Sequence, residues 1–336
     1  MTTTGSQYDY DYYIPTLTKV QLQEDLHPGY CREAACVITV ISNVIIFLLG
    51  ITGNGAVIWI TGFKMKKSVN STWYLSLALS DFFFCATLPF TIDYLIKDSW
   101  SFGLFLCKFN SFAMTLNMYS SIFILVIISV DRCITVRFPV WAQNKRTVKK
   151  ASLVVVLAWF VSSLLSIPSA KFREILNESP EKCYSNYKDH HKTVVFMRFN
   201  FGFLIPFLTI FICYTILIHK LRSNQMSKST KPYKITTLLI ATFFICWLPF
   251  QIVSVLELDR SENNSAFKTA QQVSGTLASA NSFLNPFLYA FMAKDLKKKC
   301  YSFLSKIESA IDEENRSTFR ATSVTSATDN GLSTAV

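Results

Sequence analysis

The chain has 336 residues, of which 51% are hydrophobic and only 16% charged, and its formal net charge is +11. A soluble domain carries about 25% charged residues, so composition argues against a water-soluble enzyme. The basic excess would suit a nucleic-acid-binding protein only if the basic residues clustered on a soluble face, and they do not.

The charges avoid seven stretches: 37–63, 72–92, 109–130, 151–170, 193–218, 235–256 and 269–293. About 20 apolar residues in a helix cross the hydrocarbon core of a bilayer. The expected fold is therefore an all-α membrane protein, a bundle of seven transmembrane helices over residues 35–292. A short amphipathic cytosolic helix is expected over 293–307.

Before the first span lies a tail, 1–34, expected to be disordered. Its stretch SQYDYDYYIP (6–15) sets four tyrosines among two aspartates, with no basic residue before Lys19. It has no apolar h-region, so no cleavable signal peptide is expected. Two readings are open: a plain terminus, or an acidic tail that captures a cationic partner.

Lys64, Lys66 and Lys67 follow span one, Arg137, Lys145, Arg146, Lys149 and Lys150 lie between spans three and four, and Lys220, Arg222, Lys228, Lys231 and Lys234 between five and six. Lys294, Lys297, Lys298, Lys299 and Lys306 follow span seven. The positive-inside rule makes this side cytosolic and the N-terminus extracellular. The excess charge is thus a topology signal, and no nucleic-acid partner is expected.

Few ionisable residues remain inside the spans, and such residues are functional candidates by default. Asp81 lies at mid-depth in span two, Asp131 and Arg132 end span three, and Arg198 is near the outer end of span five. Asn54, Asn117, Ser121, Asn281, Ser282 and Asn285 can converge on Asp81. One carboxylate among neutral oxygens suits a hard monovalent cation such as Na⁺. Hydrogen-bonded glue between helices is the other reading. Pro206, CWLPF (246–250) and NPFLY (285–289) place prolines in spans five, six and seven, where they bend helices. Cys107 and Cys183 fall on the same side and are either bridged or free thiols. Cys300, after the last basic cluster, is a candidate palmitoylation site. Beyond 308 the tail is rich in serine and threonine and is expected to be disordered.

GNGAV (53–57), LSLALSD (75–81), DRC (131–133), Trp159, CWLP and NPFLY resemble rhodopsin-like G-protein-coupled receptors, one motif per helix and in order. WSFG (100–103), DRCITVRFPVWAQNKR (131–146) and STKPYKI (229–235) resemble the chemoattractant branch. PSAKFRE, LLIATFFICWLPF and VLEL are most similar to the chemerin receptor group, with formyl peptide and anaphylatoxin receptors as neighbours. Cys133 stands where most of the superfamily has tyrosine, although this branch commonly has cysteine.

The resemblance implies a plasma-membrane receptor, not an enzyme, that takes an extracellular peptide or protein ligand. It implies signalling through a heterotrimeric G-protein of the inhibitory class, with arrestin, receptor kinases and membrane lipid as further partners. A non-signalling scavenger or a lipid-carboxylate receptor of the same fold is the alternative. It implies a Cys107–Cys183 disulfide. Arg132 resembles the arginine that pairs with Asp131 at rest, and Tyr214 and Tyr289 the tyrosines that hold the active state. Phe243 and Trp247, with Pro249 below the pocket and Pro206 and Ile122 alongside, resemble the aromatic switch. Asn285 and Pro286 belong to the same machinery. Asp81 with Asn117, Ser121, Asn281 and Asn285 resembles the family's allosteric sodium site; no other cofactor is expected.

Met114 occupies the place where amine receptors carry an aspartate, which argues against a biogenic amine. The seventh stretch, 269–293, offers no lysine for retinal. Arg198 is left to receive an anion, a carboxylate above all, unless Asp93 or Glu257 pairs with it. Arg173 is a second cation at the rim, Glu257 an acceptor for a basic group, and Met118 and Gln271 complete the expected lining. Related receptors carry sulfated tyrosines in such tails, which marks Tyr8, Tyr10, Tyr12 and Tyr13. Asn177 and Asn263 are extracellular glycosylation sequons. Ser317, Thr318, Thr322, Ser323, Thr325, Ser326 and Thr328 are candidate phosphorylation sites.

Overall fold

The computed structural model describes residues 34–176, 180–223, 231–258 and 265–292. The tyrosines of the N-terminal tail, Asn177, Asn263, the expected helix over 293–307, Cys300 and the hydroxyls of 317–328 lie outside the described residues.

Span one is α1 (Ala34–Trp59), closed by a π-helical turn at Ile60–Lys64; span two is α2 (Val69–Cys85) followed by α3 (Leu88–Lys97); span three is α4 (Gly103–Arg137). A short helix, α5 (Pro139–Lys145), leads to span four, α6 (Val148–Lys171). A hairpin of β1 (Arg173–Leu176) and β2 (Lys182–Ser185) precedes span five, which is α7 (His191–Phe199), a π-helical turn at Asn200–Leu204, and α8 (Ile205–Ser223). Spans six and seven are α9 (Lys231–Leu256) and α10 (Ser265–Met292).

Spans one to six are each long and apolar enough to cross a membrane. Span seven is more polar, because its bundle-facing side carries Ser274, Ser279, Asn281, Ser282 and Asn285, all buried. Its 28 residues still reach about 42 Å as a helix. The helices overrun the apolar stretches by a turn or so, because hydropathy marks the hydrocarbon depth and not the helix ends.

Span three is the axis of the bundle. Of its most apolar 18 residues 72% are buried, against 22% in spans one and four. The core joins Met118, Ile122 and Leu125 of span three to Leu77 of span two and to Phe243 and Trp247 of span six. Outward positions such as Leu153, Val156, Phe160, Phe211 and Ile245 stay exposed and apolar, as a lipid-facing surface requires.

Local chemistry sets the ends and breaks. Ser68 caps α2 in a reciprocal box with Ser71. Pro89 has no N–H to return to Cys85, and span two breaks over Ala86–Thr87. Beside the break the Thr87 side chain folds back, its Oγ1 donating to Phe84 O at 2.8 Å. In span five Pro206 cannot donate to Gly202, and the chain widens one turn earlier, where the Ile205 N–H returns to Asn200 O.

β1 and β2 pair antiparallel with Ile175 opposite Cys183. Cys183 is bridged to Cys107 at the start of α4, with a Cα–Cα distance of 5.8 Å. The Trp100 N–H donates to Glu181 O at 2.8 Å, adding a second tie between the hairpin and the bundle. The hairpin therefore lies fixed across one end of the bundle.

Candidate functional site

Under the hairpin the helices enclose a cavity of about 550 Å³, within the range of small-ligand and peptide-end sites. Arg173, Arg198, Glu257, Met114 and Gln271 line it, as the sequence leads one to expect. Asp93 and Met118 do not. Asp93 turns to Lys97, one turn along α3, at 2.7 Å. Met118 is fully buried deeper in the bundle, where Gln251 Nε2 donates to its sulfur at 3.4 Å. An i,i+4 partner takes Asp93 Oδ1 locally, while Oδ2 is buried with no hydrogen-bond partner among the described residues, and Met118 lies a helical turn below Met114.

Arg198 comes from the last turn of α7 and is 9% exposed. Its guanidinium lies 5.0 Å from the Phe250 ring centroid, a cation–π distance. Its Nε is buried without a hydrogen-bond partner, and among the described residues it has no ion pair, with neither Asp93 nor Glu257 within reach. Arg173 at the rim donates from Nε to Ser111 Oγ at 3.1 Å. Burial pushes the Arg173 guanidinium below its ordinary pKa; Tyr187, Tyr94 and Glu257 oppose that and Arg198 adds to it. The two arginines therefore feel each other across the cavity.

Phe250, Trp100, Tyr94 and Lys268 also line the cavity and were not legible as pocket residues. Phe250 had a signal, since it closes CWLPF one turn after Trp247. The other three are brought in by the loop-bearing ends of spans two, three and seven, which periodicity does not place. From Arg198 inward the contacts are aromatic. Phe250 meets the Trp247 ring edge-on at 5.8 Å, and Trp247 stacks on Phe243 at 5.9 Å. Ile122 joins the same core.

A polar layer lies deeper. The Asp81 carboxylate is fully buried and accepts from Asn117 Nδ2 at 2.9 Å and from Asn285 Nδ2 at 2.8 Å. Ser282 Oγ donates to Asn117 Oδ1 at 3.2 Å, and Asn54 Nδ2 to Ser282 O at 2.8 Å. The carboxylate thus ties spans two, three and seven, and Asn54 joins span one to span seven beside it. Ser121 Oγ, Asn281 Oδ1 and Asn54 Oδ1 are buried with no hydrogen-bond partner among the described residues. Buried oxygens without donors are unusual, and a neutral oxygen of this kind is what a hard cation takes. The donor set therefore fits sodium.

At the end opposite the hairpin Asp131 and Arg132 part company. The resemblance pairs them; here Asp131 takes Arg146, with Nε at 2.6 Å from Oδ1 and Nη2 at 2.8 Å from Oδ2. The bidentate fork of one arginine uses both carboxylate oxygens, which is why the neighbouring guanidinium goes elsewhere. Arg132 donates from Nη2 to Asn70 Oδ1 at 3.1 Å. Tyr214 of span five accepts from Thr237 Oγ1 of span six at 3.3 Å. Pro249 lies inside α9 and Pro286 inside α10, with Tyr289 in the last turns of α10.

Similarity to known proteins bears on this arrangement. A family model described as 7 transmembrane receptor (rhodopsin family) matches residues 53–289. The chain is 38% identical over 327 residues to chemerin-like receptor 1 of Homo sapiens, covering 90% of this chain and 87% of that protein. It is 35% identical over 326 residues to the C3a anaphylatoxin chemotactic receptor of Oncorhynchus mykiss (93% and 88%). Over 313 residues it is 35% identical to formyl peptide receptor-related sequence 1 of Mus musculus (85% and 89%).

Proposed function

The chain belongs to the rhodopsin family of seven-transmembrane receptors, and on that premise we propose that it is a plasma-membrane receptor for a chemoattractant peptide, chemerin-like, with a free C-terminal carboxylate. The hairpin end and the N-terminal tail are extracellular. The observation that carries the ligand class is Arg198: a buried guanidinium at a 550 Å³ cavity, with no anion of its own among the described residues. A buried cation without a partner is costly, and a ligand carboxylate would offset that cost.

The ligand's end enters under the hairpin, its carboxylate meets Arg198, and Arg173 adds a second cation at the rim. Contact with Phe250 then reaches Trp247 and Phe243 directly. Ligand binding biases a two-state bundle, and the Arg132 end engages a heterotrimeric G-protein of the inhibitory class. Phosphorylation of the C-terminal hydroxyls would recruit arrestin, and sulfation at Tyr8, Tyr10, Tyr12 and Tyr13 would strengthen capture of a basic protein ligand by the tail.

Sodium at Asp81 belongs to the same proposal. Asp81, Asn117, Ser121, Asn281 and Asn285 would hold it, and the ion would neutralise the carboxylate and tie spans two, three and seven together.

The test is a double-mutant cycle with a chemerin-derived C-terminal peptide and its C-terminal amide. Arg198→Ala should weaken the acid peptide by about 2–5 kcal/mol, roughly 30- to several-thousand-fold. Amidation should cost the parent receptor a similar amount and cost the variant little. Additive losses would place the carboxylate elsewhere, with Arg173 the next candidate.

A further inference from the structure

Asp131 and Arg132 are neighbours in sequence with separate partners in space, and one residue of span two joins them. Asn70 Oδ1 accepts from Arg146 Nη2 at 2.6 Å and from Arg132 Nη2 at 3.1 Å. Arg132 is 9% exposed, its Nε has no hydrogen-bond partner among the described residues, and its guanidinium is also within hydrogen-bonding reach of Tyr74, one turn along α2. Arg146 follows α5 directly, and its backbone N–H closes that helix on Ala142 O at 3.1 Å. The side chains of Arg146 and Asp131 are 25% and 12% exposed, so this pair is shielded and bidentate, unlike an ordinary surface bridge.

We propose that Asn70 is the latch that holds Arg132 in this state, and that Asp131 acts through Arg146 to position the loop helix α5. The proposal rests on the G-protein-coupling reading. Asn70, Asp131 and Arg146 are positioning residues: none needs to touch the transducer. Two consequences follow from the chemistry. A neutral amide holds a guanidinium less strongly than a carboxylate does, so Arg132 is released more easily than from an ion pair. Meanwhile α5, which presents Val140 (70% exposed) and Trp141 (53% exposed), is kept in place by Asp131; freeing it adds an ordering cost to any docking on that face.

Removing the carboxylate and removing the latch should therefore act in opposite directions. The full chain is placed in membranes with an inhibitory-class G-protein, and uptake of a labelled GTP analogue is read without ligand at matched surface expression. Asn70→Ala should raise ligand-free exchange roughly 10- to 150-fold, the shift for losing one hydrogen bond to a charged group. Asn70→Asp, which offers Arg132 an anion, should lower it below the parent. Asp131→Asn and Arg146→Gln should both lower it. In parallel, hydrogen–deuterium exchange of amides 138–146, which needs no G-protein, should quicken in Asp131→Asn and in Arg146→Gln, with the double variant no faster than either. Faster nucleotide exchange in Asp131→Asn would mean that Asp131 holds Arg132 and would overturn the latch. Unchanged amide exchange in Asp131→Asn and Arg146→Gln would overturn the tether. If neither the parent nor Asn70→Ala exceeds receptor-free membranes, the coupling reading fails and the latch with it, while amide exchange still decides the tether.

Discussion

Gly50 and Gly55 sit a little over one turn apart in α1, and only one of them has no room for a side chain. A Cβ at Gly50 would run into Cys85 Sγ and crowd Cys85 Cβ at 3.3 Å, whereas a Cβ at Gly55 would meet only the Phe82 ring at 3.6 Å, ordinary contact. Gly50→Val should therefore destabilise the detergent-solubilised protein by about 1–3 kcal/mol through overpacking, and Cys85→Ala should restore part of the loss. Gly55→Ala should be neutral or stabilise by up to about 1 kcal/mol, because glycine costs that much in a helix interior. Thermal unfolding of the three variants checks the ordering; a Gly55→Ala loss as large as that of Gly50→Val would mean that span one packs differently. GNGAV was readable as a motif, but the glycine under the tightest contact lies outside it. The reason is physical: a close approach between two helices depends on both, and one helix's sequence records only its own half.

At the scale of elements, the hairpin is the piece whose placement matters most. Local β-propensity alone would not fix four-residue strands in the open; the Cys107–Cys183 bridge and the Trp100 N–H to Glu181 O bond hold them. The bridge closes 76 residues of chain, and losing such a cross-link typically costs about 2–4 kcal/mol. Cys183→Ala should lower the unfolding temperature and quicken amide exchange in 173–176 and 182–185. It should also weaken peptide binding, since Arg173 opens β1 and lines the cavity. Protection of those amides unchanged from the parent would mean the Trp100 tie suffices. The broken span two and the widened turn of span five follow from Pro89 and Pro206. Pro206 was visible as a bend; the π-helical turn before it was not, because proline says where a hydrogen bond is lost and not how the chain re-pairs.

For the whole molecule the question is how a change at the cavity reaches the Arg132 end. The polar layer lies between the two: Asp81 of span two is bonded to Asn117 of span three and Asn285 of span seven. Sodium bound there would favour the state in which those spans stay together. Raising NaCl against an equal ionic strength of choline chloride should lower agonist affinity in the parent, and Asp81→Asn should remove the difference. An effect equal for both salts would reduce the cluster to structural hydrogen bonding.

Residue types, spacing and charge were enough to determine that this chain crosses a membrane seven times and which residues are polar within the spans; the family came from the resemblance of its motifs to known receptors. These are one-dimensional properties: a bilayer selects apolar length, and each motif lies within one helix. Span seven shows the margin, since its buried serines and asparagines nearly hide a spanning helix from hydropathy. Tertiary structure alone decided the pairings. Among the described residues it left Arg198 without an acid while Asp93 took Lys97, brought Phe250 and Lys268 to the cavity, sank Met118 out of it, and gave the Asp131 carboxylate to Arg146 instead of Arg132. A charged side chain has several candidate partners within reach of its place in the sequence. Which one wins depends on fork geometry and burial, and both exist only once the helices have packed.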